Sequence, residues 1–533
     1  MNIELKEILE KFYDENVWEH ITLGEFIIDC ANKYGNNIAV VDEEREYTYK
    51  DLDEDSRKYA CGLLKAGFKS GDKIVLQMPN SYEFIAISFA MFKIGVIPVM
   101  CLPAHRSNEI KGILEKSMAK GYIAKDKHLG FSYVDMIREV KTDLNHNFEI
   151  YILGDNQEYK NFYHLIDNDY MYQLENVDYK SIGVLLLSGG TTGIPKLIPR
   201  RHCDYIYVAK NTAQKCKMNE DSVYLAALPI AHNFPLCCPG ILGTFSVGGK
   251  VVLSRVTSPD EILPFIEEEK VTITGLVPAM AKACMELLEY EDYDLNSLEI
   301  LQIGGSVLEP SLAKEIEKNF HTKLQQIFGI AEGLILITDI EDNEDTRVNT
   351  QGKPISEHDE ILIVDEEGNG VQDGEYGELI VRGPYTIYGY HESPEINKEC
   401  MTEDFYFKTG DKVRKLEDGN YQVVGRLKEM INRAGEKITP SELENILLTH
   451  ESIDSTQVVG IKDERLGESI GVFIISDKSR LSLQDIRDFL IEKGVAEFKL
   501  PDSVMYIDAW PLTSLGKIDR KKLQELGGKK SVS

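Results

Sequence analysis

Between Leu185 and Arg200 the chain reads LLLSGGTTGIPKLIPR. Apolar residues run into hydroxyls and glycines, and a lysine follows. Ser188, Thr191 and Thr192 offer hydroxyls, Gly189, Gly190 and Gly193 let backbone N–H groups approach an anion, and Lys196 adds a positive charge. Such a set suits phosphate. It is not the familiar phosphate loop, which needs Gly, four residues and then Gly-Lys-Ser/Thr. Counted from Gly189, the sixth residue is Ile194, and Leu197 follows Lys196.

Further residues with chemical potential follow along the chain. ALPIAHNFPLCCPG holds His232, Asn233, Phe234 and Cys238, and EILQIGGS ends in Gly305 and Ser306. QQIFGIAEG carries Ile327, Phe328, Gly329 and Glu332, with Ile335 just beyond. FYFKTGD ends in Asp411, GRLKEMINRAGEK holds Arg426, Lys428 and Gly435, and PLTSLGKIDR presents Lys517. Taken singly, each has a plain alternative. Asp411 can cap a turn, Phe328 can be core, Lys517 can be solvated surface, His232 can be structural, and Cys237 and Cys238 can be buried thiols.

The elements that must position these residues show in the periodicity. KIVLQM, VIPVMCL, SVYLAAL, KVVLSRV, ITGLV and EILQIGG are short apolar β-rich runs alternating with helical patterns, which predicts α/β layers with largely parallel strands. EILIVDEEGNGVQDGEYGELIVRG reads as strands joined by Gly, Asp and Asn turns, an appended β subdomain. A boundary falls after Arg426. Thr439, Pro440 and Glu442 predict a capped helix start, and TQVVGIKD, SIGVFIIS, SLQDIRDFLIEKG and SVMYID complete a small α+β domain. The expected division is 1–426, a short connection at 427–430, and 431–533.

Composition narrows the function. The chain of 533 residues has a net charge of −30 and no Lys/Arg-rich block, which argues against nucleic acid as a partner. Nine cysteines without CxxC spacing suit reduced thiols and a cytoplasmic setting. The N-terminus lacks the basic and apolar regions of a signal peptide. FIAISFAMFKIGVIPVM is broken by Lys93, Gly95 and Pro98, so it predicts a buried helix turning into a strand rather than a membrane span.

The ordered motifs around Lys196, Glu332, Asp411, Arg426 and Lys517 resemble the adenylate-forming superfamily of acyl-CoA synthetases, firefly-type luciferases and peptide-synthetase adenylation domains. The likeness runs from about residue 20 to about residue 525. LSGGTTGIPKLIPRRHCDYIY, ALPIAHNFPLCCPG, LQQIFGIAEGL, NTQGKP and RGPYTIYGYH look like its stand-alone aryl-acid branch, the 2,3-dihydroxybenzoate–AMP and salicylate–AMP ligases of siderophore pathways.

This resemblance implies a large α/β core of two layers plus a β subdomain, and a small mobile α+β domain carrying the catalytic Lys517. ATP and Mg2+ would be used. The 188–196 loop would hold the β- and γ-phosphates, Glu332 the metal, Asp411 the ribose hydroxyls with Arg426 behind it, and Phe328 the adenine, with Gly305 and Gly329 alongside. Ala331 stands where many relatives place Thr or Ser on the α-phosphate, so no such contact is expected there. His232, Asn233, Phe234, Cys238, Ser306, Ile327 and Ile335 would line the acid pocket. Asn233 replaces the Asp that pairs an amino-acid ammonium in other branches, which disfavours amino acids. Cys238, where dihydroxybenzoate enzymes usually carry Ser, points toward salicylate. Lys428 would be the hinge, and Gly435 would belong to the loop used in thioester formation. The acceptor would be an aryl carrier protein in trans, docked through Arg520, Lys521 and Lys522, or else CoA. The rivals are an aryl-CoA ligase and a non-catalytic nucleotide-binding regulator on the same fold.

Overall fold

The computed structural model describes residues 3–14, 16–167, 177–188, 195–433, 436–463, 466–493, 495, 499–513 and 517–530. The chain divides into two compact units, Met1–Glu360 with Val381–Phe407, and Ile361–Ile380 with Lys408–Ser533.

The first unit is built on two large sheets. One has nine strands in the order Lys353–Pro354, Leu334–Ile337, Lys323–Ile330, Ile300–Gly304, Ile273–Leu276, Val223–Ala226, Lys250–Leu253, Ile38–Asp42 and Arg45–Thr48. Its central strands pair in parallel, as the short apolar runs predict. Strand Leu334–Ile337 turns back antiparallel to Lys323–Ile330, and the turn between them carries Ala331 and Glu332. The second sheet has seven strands in the order Leu197–Arg201, Ile182–Leu187, Ile97–Cys101, Lys73–Gln77, Gly121–Lys125, Glu149–Leu153 and Lys160–Asn161.

Branched aliphatic residues fill both cores. Leu225, Val252, Ile262, Ile266, Leu301 and Ile316 are fully buried against the first sheet, and Val75, Ile110, Ile113, Ile137 and Leu185 against the second. Burying one such side chain is worth about 1.5–3 kcal/mol. Helix Tyr82–Lys93 is buried on nearly every side. It is a core helix leading to the strand Ile97–Cys101, and its terminal Lys93 is neutralised by Asp53 at 2.5 Å and bonded to Ser56 at 2.8 Å. Among the described residues no helix is long and apolar enough to cross a membrane.

The second unit carries a four-stranded sheet in the order Glu360–Val364, Gly377–Arg382, Phe407–Lys415 and Tyr421–Arg426. A second sheet orders Glu436–Ile438, Ile431–Arg433, Gly467–Ile475 and Ser455–Asp463, with Ser503–Tyr506 also on Gly467–Ile475. Helices Pro440–Leu447 and Leu483–Glu492 supply Leu443, Leu447, Ile486 and Leu490 to its core. Residues 427–430 lie inside this unit, because Ser441 Oγ donates to the Val424 carbonyl at 2.6 Å and ties helix Pro440–Leu447 to strand Tyr421–Arg426. The helix starts at Pro440 as expected, but its capping box does not form. Thr439 turns its hydroxyl to Met430 Sδ, and Glu442 pairs with Lys499 at 2.6 Å.

Candidate functional site

Strands Ile182–Leu187 and Leu197–Arg201 run antiparallel, with Leu187 opposite Leu197. Beyond that pair Ser188 N donates to the Lys196 carbonyl at 3.1 Å, and Ser188 Oγ accepts from Lys196 N at 3.0 Å. Ser188 and Lys196 are thus clamped together. Gly189, Gly190, Thr191, Thr192 and Gly193 lie outside the described residues. The Lys196 ammonium sits 4.6 Å from the centroid of the Tyr390 ring.

The same tyrosine reaches a second of the charged residues singled out by the sequence. Tyr390 OH donates to Glu332 Oε1 at 2.7 Å. The turn bearing Glu332 is held from two sides. Ile387 N donates to the Glu332 carbonyl at 2.8 Å and Thr386 Oγ1 to the Gly333 carbonyl at 3.0 Å. Gly333 has φ +117° and lies against the Tyr385 carbonyl, leaving no room for a Cβ. From beneath, the fully buried Arg200 donates through Nη1 to the Ala331 carbonyl at 2.9 Å and through Nε to Asp204 at 3.0 Å.

Helix Asn233–Cys237 carries residues expected to line an acid pocket, and His232 caps it by accepting from Phe234 N at 3.2 Å through Nδ1. Asn233 Oδ1 accepts from Tyr205 OH at 2.9 Å, and its Nδ2 faces Cys238 Sγ at 3.4 Å. Burial raises the Tyr205 phenol well above its ordinary range, which keeps it a donor. That bond fixes the amide with Nδ2 available to a ligand oxygen. The Phe234 ring lies on bare backbone. A Cβ on Gly275 would come within 2.8 Å of Phe234 Cζ, and one on Gly304 within 2.6 Å of Ile327 Cγ2. Ile327 and Ile335 are buried on adjacent strands, whereas Gly305, with φ +87°, and Ser306 are exposed just past Gly304. Burial pushes the Cys238 thiol up to about 12. Cys237 turns away and donates to the Tyr205 carbonyl at 3.3 Å, so of the two neighbouring cysteines only Cys238 meets Asn233.

In the second unit Asp411 and Arg426 are register partners across two antiparallel strands. Arg426 Nε lies 2.8 Å from Asp411 Oδ1, and Nη1 donates to the Thr409 carbonyl at 2.9 Å. Lys517 belongs to the same group. Burial and the Arg426 guanidinium lower its pKa, while Asp411 and Glu429 pull it back up. Its backbone is locked by bonds with Thr513 at 2.7 and 3.2 Å. Phe328 is half-buried and Gly329 exposed near the end of their strand. Lys428 lies in the short turn Leu427–Glu429, and Gly435 falls outside the described residues.

The docking patch expected from position needs correction. Arg520 is occupied, donating to the Val458 carbonyl at 2.8 Å and to Glu444 at 2.9 Å, which leaves Lys521 and Lys522 exposed. Five residues of the first unit were not singled out by the sequence: Tyr390, Arg200, Tyr205, Gln302 and Gln325. The last two are paired in register on neighbouring strands, and Gln302 Oε1 and Gln325 Nε2 are buried without a hydrogen-bond partner. Gln302 precedes Gly304 by two positions and so shares its face of the sheet. Among the described residues no cluster of three or more His, Cys, Asp or Glu could hold a metal by itself.

Comparison with known proteins agrees with this geometry. A family model described as AMP-binding enzyme matches residues 28–391, and one described as AMP-binding enzyme C-terminal domain matches 442–517. The chain is 41% identical to the 2,3-dihydroxybenzoate-AMP ligase of Bacillus subtilis, covering 97% of this chain and 96% of that protein. It is 39% identical to the salicyl-AMP ligase / salicyl-S-ArCP synthetase of Mycobacterium tuberculosis, covering 96% and 92%. The apo structure of MbtA from Mycobacterium smegmatis superposes with a TM-score of 0.75 at 36% identity, covering 98% of this chain and 97% of that one.

Proposed function

The chain belongs to the AMP-binding enzyme family, and from that premise we propose that it activates a hydroxylated aryl acid with ATP. The products are aryl-AMP and pyrophosphate, and the aryl group then passes to a phosphopantetheine thiol of a carrier protein in siderophore or nonribosomal peptide assembly. The observation that carries the reading is the pocket amide. Asn233 is neutral, oriented by Tyr205 and set beside the Phe234 ring over glycine backbone. It gives no partner to an ammonium and a good donor to an ortho oxygen. The salicylate hydroxyl can donate to its own carboxylate while accepting from Asn233 Nδ2.

In the first half-reaction a carboxylate oxygen attacks the α-phosphorus, the new P–O bond forms, and the bond to pyrophosphate breaks. Two anions must meet, so catalysis is positioning and charge neutralisation. Lys517 would neutralise the attacking carboxylate and α-phosphate, Lys196 and the hydroxyls of its loop the β- and γ-phosphates, and Asp411 would hold the ribose. Glu332 fits a role at Mg2+, since one of its oxygens accepts only a neutral phenol hydrogen bond and no cation pairs with it among the described residues. A single carboxylate, phosphate oxygens and water are what that ion usually takes, and when bound it supplies charge neutralisation. The nine cysteines are free, and burial raises the thiols of Cys101 and Cys216, which supports a reducing, cytoplasmic setting.

Salicylate is favoured over 2,3-dihydroxybenzoate by Cys238, because a thiol is a weak partner for a second hydroxyl, at a cost of about 1–2 kcal/mol. ATP–pyrophosphate exchange with a panel of benzoates decides. Salicylate is expected to lead, and Cys238→Ser to shift preference toward the dihydroxy acid. A tenfold lead for the dihydroxy acid in the unmodified enzyme would reject the first ranking. Absence of pyrophosphate release with every acid would leave only the non-catalytic regulator. Loading of CoA in preference to a pantetheinylated carrier would make the protein an aryl-CoA ligase.

A further inference from the structure

We infer that Tyr390 is a positioning residue that holds the Glu332 carboxylate and the Lys196 ammonium apart and aimed. The inference rests on the roles proposed above for those two charges. One side chain touches both: its hydroxyl donates to Glu332 Oε1 at 2.7 Å, and its ring face carries the Lys196 ammonium at 4.6 Å. Among the described residues no ion pair joins Lys196 to Glu332, although both converge on this ring. Opposite charges in a half-buried site otherwise collapse onto each other, and such a pair would have to break before a magnesium nucleotide could enter. A phenol donor and a ring face each satisfy a charge weakly enough to release it.

The spacer is itself rigid. Tyr390 is 6% exposed, its N–H donates to Asn397 Oδ1 at 2.7 Å, and its carbonyl accepts from Asn397 Nδ2 at 3.0 Å. Phe407 meets the ring edge-on at 6.1 Å between centroids. Gly389, at φ +136°, permits this close approach, since a Cβ there would lie 2.7 Å from Asn397 Nδ2. The segment around Tyr390 also ties together the two regions it serves. Ile387 N bonds the Glu332 carbonyl, and His391 N bonds the Leu197 carbonyl beside Lys196, at 2.9 Å. Side chain and backbone therefore set the same spacing between the metal carboxylate and the phosphate cation.

Tyr390→Phe keeps the ring and loses the hydroxyl, while Tyr390→Leu loses both. Mn2+ replaces Mg2+ as a paramagnetic probe with α,β-methylene-ATP, and electron paramagnetic resonance of free Mn2+ reports metal affinity directly. Calorimetry without metal reports nucleotide affinity. Tyr390→Phe is expected to weaken Mn2+ binding about fivefold while leaving metal-free nucleotide affinity within about twofold of wild type. Tyr390→Leu is expected to weaken the nucleotide about tenfold as well, and adding Glu332→Gln to it to restore most of that loss by removing the ion pair. Wild-type Mn2+ affinity in Tyr390→Phe, or a nucleotide loss in Tyr390→Leu that Glu332→Gln leaves unchanged, overturns the inference. Should the leucine variant fail to fold, the phenylalanine variant decides alone. A wild-type protein that binds no Mn2+ with the nucleotide sinks the roles of Glu332 and Lys196 themselves, a result distinct from either variant outcome.

Discussion

Lys517 can neutralise two anions only while it is charged, and its surroundings make that conditional. Burial and Arg426 disfavour the ammonium more than Asp411 and Glu429 favour it, so its pKa lies below the ordinary lysine range. The sign follows. Adenylation that depends on the charged form is present below this pKa and is lost as pH rises through it, earlier than for an exposed lysine. The pH dependence of kcat/KM for pyrophosphate exchange, which reports the free enzyme, should show that alkaline limb, and Lys517→Arg should act more slowly but without it, because a guanidinium stays protonated. An unchanged limb in the arginine variant would place the titration elsewhere. Lys517, Glu332 and Asp411 were singled out in the sequence because their motifs stand in the order of the family they resemble, whereas Asp411 alone can cap a turn and Lys517 alone can be solvated surface. Tyr390 and Tyr205 were not, because their contacts join residues 58 and 28 positions apart and a tyrosine alone reads as core. The resemblance singled out Cys238, and the helix adds what the letters could not, directing Cys237 to the Tyr205 carbonyl and Cys238 to Asn233.

The short apolar runs announced the parallel strands at the centre of each large sheet, but Lys196, Glu332, Asp411 and Arg426 sit on or beside antiparallel pairs. What the runs could not show is how a turn at a strand end is kept in one geometry. Arg200 and Asp204 are four residues apart across the end of strand Leu197–Arg201 and the start of helix His202–Lys215. Their spacing is visible in sequence, but their complete burial and the bond from Arg200 to Ala331 are not. Asp204 also accepts from Arg201 N at 2.9 Å, closing the helix start. Burial raises the Asp204 pKa while Arg200 and Arg201 lower it, so removing Arg200 strands a buried carboxylate. Arg200→Met should therefore destabilise by about 3–5 kcal/mol, and adding Asp204→Asn should recover part of that loss. Thermal unfolding of the single and double variants checks both. Additive losses would mean that the pair is not the unit holding this turn. The missing capping box at Thr439 teaches the converse: a correct start signal at Pro440 survived although Glu442 found a stronger partner in Lys499.

For the molecule as a whole the proposed function demands that one polypeptide serve two reactions with different nucleophiles. In the proposed reaction, adenylation would use Lys517 beside the carboxylate. Thioester formation has no use for that cation and needs room for a thiol. The chemistry thus calls for a hinge, and the expectation falls on Lys428, within the turn Leu427–Glu429 that follows Arg426. Its backbone lies between strands Tyr421–Arg426 and Ile431–Arg433, where a change in φ and ψ would swing everything beyond it. Proline fixes φ at the hinge and restricts Leu427 before it. Lys428→Pro should therefore leave pyrophosphate exchange within about threefold of wild type while reducing loading of a pantetheinylated carrier by about a hundredfold or more. The two assays share enzyme, acid and nucleotide, so an effect on one alone locates the block after the adenylate. Equal loss in both would instead indicate damage to the second unit, where Ser441 already ties the helix after the turn to Val424 before it. Restoration of loading when the proline is moved to a neighbouring exposed position would confirm that freedom at this one residue, rather than the chemistry of proline, is what the transfer requires.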